Sequence, residues 1–544
     1  RVQPLQPVMK AHRAHKRQRA SSPASPLQQL QNAAAPASSS DPSRVWLPEV
    51  VERFAASLTS NEVACALRQV NKAAAAQFST PRYTTIRLSQ PVPHHVFVRR
   101  WAGPDAMRAL ALQQRLELPR LTACSGSIAN LEERGCHGDF EQMMTAAAGA
   151  GHQAVCEWCP EVVDYSGATA AAARGGHVGL MDWLLPFMGR TGAAAVLSGA
   201  AEGCDLPTLQ RLHHTHVDTL PAGLPAGDKP AIISAAAGSP TADWQAKVEW
   251  LEARGYPQCT AACKTAAAKP DALPRLQWLQ QRGYPLDYDV AACAADAGNV
   301  EVLQYVLSQG VEAGMVWPGR LDRYSMLCAA KGGRVAVMEV LRACGVPMDA
   351  ETVTVAAAAG HLPAVAWLVE RLGAHTALTA GVFEAAARAG SMELLRWLRE
   401  RDCPWDAAVF AASVEGGSEE QLEWLVEQGC LMGDDGEPYV RAARPGGLAM
   451  LRCLRRLGCP WGPDGGTFTR AAVELITYKP TEDDICRGRT VYYHPGEPVQ
   501  RMLGFLLDQG CPVDWDAAEA AVRRANRHDV ELVGWLQAQR RQRA

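Results

Sequence analysis

The chain has 544 residues, more than a single compact core usually holds, so it contains either several domains or a repeat array. Its 54 basic and 57 acidic residues nearly cancel, which excludes the strong overall field typical of nucleic-acid-binding and membrane-binding proteins. Apolar residues make up 48% of the chain but aromatic residues only 6%, because alanine runs such as residues 170–173 are frequent, and this favours closely packed helices.

Residues 1–43 are predicted to be a disordered basic tail. The first part has no Asp or Glu and carries the cluster Lys10, Arg13, Lys16, Arg17 and Arg19. Such a tail is a solvated segment, a nuclear localisation signal or an organellar transit peptide. The 17 cysteines lack a disulfide-framework spacing, and no apolar stretch reaches membrane-spanning length. We therefore expect a soluble protein of the cytoplasm or nucleus, or of the chloroplast or another organelle if the tail is a transit peptide.

Residues 44–80 are predicted to form a small helical module. The segment reads VWLPEVVERFAASLTSNEVACALRQVNKAAAAQF from residue 45, with Leu-Pro before the first helix and a Thr-Ser-Asn turn before the second. This pattern resembles an F-box, although alanines replace the Trp that usually follows. The resemblance implies docking on a Skp1-type subunit of a ubiquitin ligase. The partner-binding positions would be Leu47, Pro48, Val50, Phe54, Leu58 and Leu67.

The same helices have a second interpretation, as a cap that shields the apolar end of a repeat array. The two interpretations differ in whether Leu47, Pro48, Val50 and Phe54 are exposed or buried against the first repeat. Residues 81–120 form a connector to which we assign no function.

A single pattern recurs across residues 121–540. An alanine-rich half, a Gly-His or Gly-Gly pair, and an apolar half with Trp-Leu follow one another, as in AAAAGHLPAVAWLV from residue 356. The period of about 27 to 30 residues indicates about a dozen repeats. The tryptophans at the repeating position, predicted to pack between repeats, are Trp158, Trp183, Trp250, Trp278, Trp367, Trp397, Trp424 and Trp535.

Each repeat is predicted to be a helix, a tight turn and a second helix. The apolar residues of 392–398 have helical spacing, and Gly390 can end the alanine helix before them. Between repeats, a glycine, a proline and an aspartate such as Asp406 or Asp514 would stop one helix and cap the next. The sequence therefore predicts an all-α helical solenoid.

The consensus AAxxGHxxxxxWLxxxGCPWD resembles the ankyrin-repeat variant common in algal and protist proteins. The resemblance covers most of the chain and implies stacked antiparallel helix pairs with a concave, protein-binding face. The Thr-Pro-Leu-His tetrapeptide of typical ankyrin repeats is missing, and the period is shorter than the usual 33 residues. The projecting fingers of the family would then be shortened.

The search for catalytic or metal-binding motifs gives no strong candidate. Cys156 and Cys159 form one CxxC without a second, which favours buried packing cysteines over zinc ligands. The histidines of residues 213–216 are predicted to lie in a loop. His152, His177 and His361 follow glycines and are expected to bond turn backbone. No phosphate-binding loop and no nucleophile elbow is present in the sequence.

An insertion at about residues 462–500 supplies Tyr492 and Tyr493 as candidate contacts with a partner. Together these features predict a monomeric, non-catalytic protein-interaction scaffold without cofactor or metal. Its partners would be other proteins, including a Skp1-like subunit, and neither nucleic acid nor membrane. The alternative is a structural ankyrin scaffold with a capped end, and an enzyme is the remote third option.

Overall fold

The computed structural model describes residues 9–10, 47–103, 106–133, 140–159, 164–189, 192–219, 224–312, 320–444, 447–463, 465–477, 497–525 and 530–543. Helices predominate in these ranges, and the prediction of an all-α helical solenoid is confirmed. Two very short strands, β1 (Met9–Lys10) and β2 (Thr85–Ile86), pair antiparallel with Met9 opposite Ile86. Met9 and Lys10 fall within the tail predicted to be disordered, and they are extended here.

The N-terminal module consists of α1 (Pro48–Ala56), α2 (Ser60–Cys65) and α3 (Lys72–Gln77). The side chain of Thr59 accepts the backbone N–H of Glu62, and the Glu62 carboxylate accepts the backbone N–H of Thr59, so a capping box starts α2. The connector then adds α4 (Pro81–Thr84) and α5 (His94–Phe97), the latter extended by a π-helical turn.

Within the described ranges, fourteen helices, many of them alanine-rich, form one row, which we call the first helices. They are α6 (Leu112–Cys124), α8 (Phe140–Ala150), α10 (Ser166–Arg174), α12 (Ala193–Gly203), α14 (Lys229–Ala237), α16 (Thr260–Ala267), α18 (Tyr288–Ala297), α20 (Arg320–Lys331), α22 (Ala350–Ala358), α25 (Ala380–Ala389), α27 (Ala407–Gly416), α29 (Glu437–Ala442), α31 (Gly466–Thr477) and α33 (Trp515–Ala525).

Among the described helices, the one that follows each of these completes a repeat, and we call this set the second helices. They are α7 (Ile128–Leu131), α9 (Gln153–Trp158), α11 (Val178–Leu184), α13 (Leu206–His213), α15 (Trp244–Ala253), α17 (Ala272–Gln281), α19 (Val300–Glu312), α21 (Val335–Ala343), α23 (Leu362–Leu372), α26 (Met392–Arg399), α28 (Glu419–Glu427), α30 (Leu448–Arg456), α32 (Glu497–Asp508) and α34 (Val530–Arg543). A short helix, α24 (Ala374–Ala377), lies in the loop after α23. The row of first helices thus begins at Leu112, inside the segment predicted as a connector.

Consecutive first helices pack closely against one another along the whole row, whereas consecutive second helices make less contact with each other. A stack that is more closely packed on one side bends toward that side, so the first helices line the inner face of a curve. Small residues make this spacing possible. A Cβ added to Gly199 of α12 would lie 2.3 Å from the carbonyl oxygen of Ala170 in α10.

The predicted stop and start signals operate at the repeat boundaries. Gly390 ends α25 with a left-handed φ of 73°, and the Asp406 side chain caps α27 by accepting the Ala408 N–H at 2.9 Å. Gly429 has a φ of 82° in the loop after α28. The corresponding position after α26 is Asp402, with a φ of 53°, where a side chain occupies a conformation that favours glycine.

One continuous apolar core extends from Cys65 in the module to Leu536 in the last helix. Val51, Ala55, Val63 and Phe78 form a second, small core inside the module. Within the described ranges, none of the helices combines the length and the apolar character that crossing a bilayer requires.

Candidate functional site: the apolar face of the N-terminal module

Helix α1 has two apolar stripes, and only one of them is buried. Val51 and Ala55 point into the small module core. Leu47, Val50 and Phe54 are spaced three and four residues apart, so they share the other side of the helix. Phe54 is 65% exposed, Leu47 58% and Val50 45%. We call these three residues the apolar face; it is not packed against the first repeat.

The other predicted partner-binding residues differ in accessibility. Leu58 is exposed, as is Val70. Pro48 is exposed at the first turn of α1, and its carbonyl oxygen accepts a bond from Gln77 at 3.0 Å. Leu67 is half-buried and packs against the small core, so it supports the module from within.

Asn61 fixes the module to the connector. Its side chain is fully buried, and its amide nitrogen donates to the carbonyl oxygens of Arg87 at 2.8 Å, Gln90 at 3.1 Å and Pro91 at 3.0 Å. Its side-chain oxygen accepts the backbone N–H of Arg87 at 2.8 Å. The loop that leaves the module is therefore held by a single satisfied amide.

Asn130 of α7 holds the other end of this loop. Its amide donates to the carbonyl oxygen of Val92 at 3.0 Å, and its side-chain oxygen lies 2.9 Å from His94 Nδ1. Two buried asparagines, one from the module and one from the first repeat, thus clamp the same connector. The module is consequently joined to the solenoid by a packed segment that includes Leu88 and Val92 of the main core.

Ion pairs between neighbouring first helices cover part of the inner row. Arg388 bonds to Glu415 of the next first helix at 2.8 Å, and Arg441 bonds to the same carboxylate at 2.7 Å. Arg174 and Glu202 make an equivalent pair at 3.1 Å. These cations are neutralised by carboxylates of the protein itself.

In several repeats, a polar side chain of the second helix, or of the residue just before it, bonds to a carbonyl oxygen in the first helix of the preceding repeat. This arrangement satisfies acceptors that the end of a helix leaves unpaired. The pairs are His152 with Cys124, Lys247 with Ala201, Arg275 with Ala237, Arg334 with Asp296, His361 with Lys331 and Gln421 with Ala387. The predicted backbone-bonding role of His152 and His361 is confirmed. The corresponding bonds of the lysine, arginine and glutamine side chains were not predicted, because no recurring sequence motif marks these residues.

The repeating tryptophans pack against the core but are mostly only half-buried. Trp367 is the exception among them at 7% exposed, and its indole N–H donates to Glu339 of the preceding second helix at 3.1 Å. Four of the repeating tryptophans, Trp367 among them, carry an arginine four residues later that covers the ring. The arginine–tryptophan pairs, with the distance from guanidinium carbon to ring centre, are Arg254 on Trp250 at 4.4 Å, Arg282 on Trp278 at 4.9 Å, Arg371 on Trp367 at 4.1 Å and Arg401 on Trp397 at 3.9 Å.

The CxxC cysteines are buried. Burial raises the pKa of the Cys156 thiol to about 12 and that of Cys159 to about 11, so both are protonated at neutral pH. Among the residues that the structure describes, no three His, Cys, Asp or Glu side chains are grouped so as to hold a metal ion.

The histidines of residues 213–216 were wrongly predicted to lie in a loop. His213 ends α13, and a π-helical turn, His214–Asp218, continues it directly. His213 is buried between Tyr256, whose hydroxyl lies 3.0 Å from Nε2, and Asp218, whose carboxylate lies 3.1 Å from Nδ1. Packing against Trp250 edge-on makes this histidine part of the repeat core. Tyr492 and Tyr493 lie outside the described residues.

Neither a family model nor a curated protein matches the chain. Among solved structures, the chain is similar to the crystal structure of the pentatricopeptide repeat protein PPR10 from maize. The two are 12% identical, the match covers 88% of this chain and 84% of that chain, and the TM-score is 0.22.

Proposed function

We propose that the protein is a non-catalytic scaffold that binds one protein through the apolar face of its N-terminal module and another along the first helices of the solenoid. The observation that carries the proposal is the exposure of Leu47, Val50 and Phe54 on a helix whose other stripe already completes the module core. Exposed apolar clusters on otherwise polar surfaces are typical of protein interaction sites.

The sharper form of the proposal is a substrate adaptor of a Skp1-cullin-type ubiquitin ligase. It rests on the F-box-like pattern of residues 45–78, whose leading apolar positions coincide with the exposed face. The clamp made by Asn61 and Asn130 supports this role, because an adaptor must present its target at a defined distance from the docked subunit. The adaptor itself would catalyse no covalent step and would hold its target by non-covalent contacts.

The target that the solenoid holds is proposed to be a protein. Sequence-independent nucleic-acid binding needs unpaired basic side chains that track a phosphate backbone. On the inner row, Arg174, Arg388 and Arg441 are instead paired with carboxylates. The repeats are proposed to be of ankyrin type, with the curved row of first helices as the preformed surface.

The adaptor proposal is tested with a purified Skp1-type protein. Val50→Ala/Phe54→Ala removes two exposed apolar side chains, and Glu52→Ala/Arg53→Ala, on the polar side of the same helix, is the matched control. We expect the apolar variant to lose at least about 10-fold in affinity while the control binds like wild type, since central apolar anchors each contribute more than about 1 kcal/mol.

Circular dichroism checks that both variants keep the helical content of wild type. Equal binding by all three proteins would show that docking does not use this face. Failure of wild type to bind would refute the ligase role and leave a structural scaffold.

A further inference from the structure

The start of the first repeat contacts repeats that lie far along the chain. The guanidinium of Arg108 bonds to the carboxylate of Glu423 and lies 3.8 Å from that of Glu419. The backbone N–H of Glu420 donates to the carbonyl oxygen of Arg108 at 3.3 Å. Arg108 and Glu423 are 315 residues apart, and α6 also packs against α27. We call the contact of residues 108–115 with residues 390–456 the seam.

The apolar part of the seam leaves no room for a side chain at position 390. Ala111 is buried, and it faces Gly390, the residue that ends α25. A Cβ at position 390 would lie 2.6 Å from the Ala111 methyl carbon, a distance too short for two carbons. The approach of the two segments therefore requires glycine at position 390.

The remainder of the seam is charged. Arg456 of α30 bonds to Glu419 and to Glu423 at 2.8 Å each, so two arginines from distant parts of the chain share two carboxylates. Glu419 is nearly buried. The guanidinium nitrogens of Arg115 are buried close to these groups without a hydrogen-bond partner, which is an unfavourable state for a charged group. Favourable ion pairs and an unfavourable buried cation therefore oppose each other in one small contact.

We propose that the seam is a reversible clasp that closes the solenoid on itself and sets the curvature of the row of first helices. Within the described residues, the helices pack mainly against those of neighbouring repeats, whereas the seam ties two distant parts of the row together. When it opens, the stack relaxes to a wider curve without loss of repeat structure. Charged contacts hold it closed, so salt shifts it toward the open form.

This inference concerns the shape of the solenoid, and its test needs no partner of the apolar face. Small-angle X-ray scattering of the full chain measures the radius of gyration as NaCl is raised to about 1 M, where the Debye length is about 3 Å. We expect the radius of wild type to increase with salt while the circular dichroism of its helices stays constant.

Two variants with matched controls separate the clasp from general effects of charge or strain. Arg108→Ala removes the bridging cation, and Arg100→Ala removes an exposed cation of the same connector. Gly390→Ala and Gly360→Ala place a methyl group at left-handed φ values of 73° and 74°, but at Gly360 the nearest atom is 3.6 Å away.

We expect Arg108→Ala and Gly390→Ala to have the enlarged radius already at low salt, and Arg100→Ala and Gly360→Ala to respond like wild type. Identical scattering of wild type, Arg108→Ala and Gly390→Ala at every salt concentration would overturn the clasp. Enlargement of both glycine variants to the same extent would also overturn it, because strain within the repeats would then be the cause.

Discussion

The ammonium nitrogen of Lys247 lies 2.8 Å from the carbonyl oxygen of Ala201 in the preceding repeat. It also donates to the carbonyl oxygen of Cys204 at 2.8 Å and to Ser239 Oγ at 2.7 Å, and the side chain is fully buried. In a later repeat, Gln421 makes the same kind of bridge without a charge. Carbonyl oxygens left unpaired near the end of a first helix are thus satisfied by a neutral side chain in one repeat and by a cationic side chain in another.

Lys247→Met should destabilise the surrounding repeats by about 1–3 kcal/mol, because buried carbonyl oxygens lose their donor. Lys247→Gln, which imitates Gln421, should be less destabilising. The urea midpoint of helical ellipticity and amide hydrogen exchange in α12 and α15 measure the difference. Equal stability of wild type and the Met variant would contradict a capping role.

The same lysine should make stability depend on alkaline pH. Burial lowers the pKa of Lys247 to about 8, whereas the unfolded chain keeps its proton up to about 10.5. Between these values the unfolded state binds more protons, so raising the pH stabilises the folded state. Thiols titrate in the same range, so the measured quantity is the difference between wild type and Lys247→Gln. We expect the stability of wild type to gain on that of the variant from pH 8 to pH 10, and a constant difference would refute the low pKa.

Asp402 and Gly429 offer opposite substitutions at corresponding loop positions. Both have positive φ, and a Cβ at Gly429 would meet no atom within 4 Å, so backbone conformation alone decides the effect. Gly429→Asp should destabilise by about 1–2 kcal/mol and Asp402→Gly should stabilise by a smaller amount. Thermal midpoints by circular dichroism test the pair. Shifts of the same sign would show that side-chain contacts dominate.

Trp367 and Trp397 should differ in their contribution to stability. Trp367 is nearly buried and bonds to the preceding repeat, so Trp367→Ala should destabilise by about 3–5 kcal/mol. Trp397 is half-buried under Arg401, and its replacement by alanine should have a smaller effect. Urea midpoints for the two variants give the comparison. A larger effect at Trp397 would mean that exposure does not rank these residues.

His213 should make the repeats around α13 sensitive to acid. Burial lowers the pKa of His213 below its ordinary value of 6.5, although Asp218 opposes this, and Arg254 and Lys229 add to it. The folded state therefore binds the proton less readily, so the stability present above pH 6.5 is lost as the pH falls through the folded pKa. His213→Gln removes the titrating group and should flatten this loss in melts from pH 7.5 to pH 5. An unchanged pH profile would assign the loss to other groups.

The repeat array could be predicted from sequence because its signals are local and recur. Gly390 and Asp406 mark helix boundaries through backbone conformation and capping, and the alanines mark close packing. The partial burial of the tryptophans could not be predicted from the sequence. An arginine four residues after a tryptophan covers the ring here, but exposed helices commonly carry such an arginine for other reasons.

The candidate site, too, could be predicted from the sequence only in part. The apolar pattern of α1 could be seen in the sequence, but Val50 and Val51 are adjacent and identical in type, and only the packing shows which one is exposed. No sequence feature predicted the seam. Arg108 and Glu423 each look like ordinary surface charges, and their pairing depends on the accumulated curvature of every repeat between them.

The distance that the seam bridges along the chain also sets an order of events during biosynthesis. At about 5–20 residues per second, the ribosome needs roughly 15–60 s after making Arg108 to deliver Glu423, 315 residues later. Earlier repeats can fold on their neighbours in that time, while Ala111 and Arg115 wait with their surfaces uncovered. During that interval, residues 108–115 remain open to chaperones or to a premature partner.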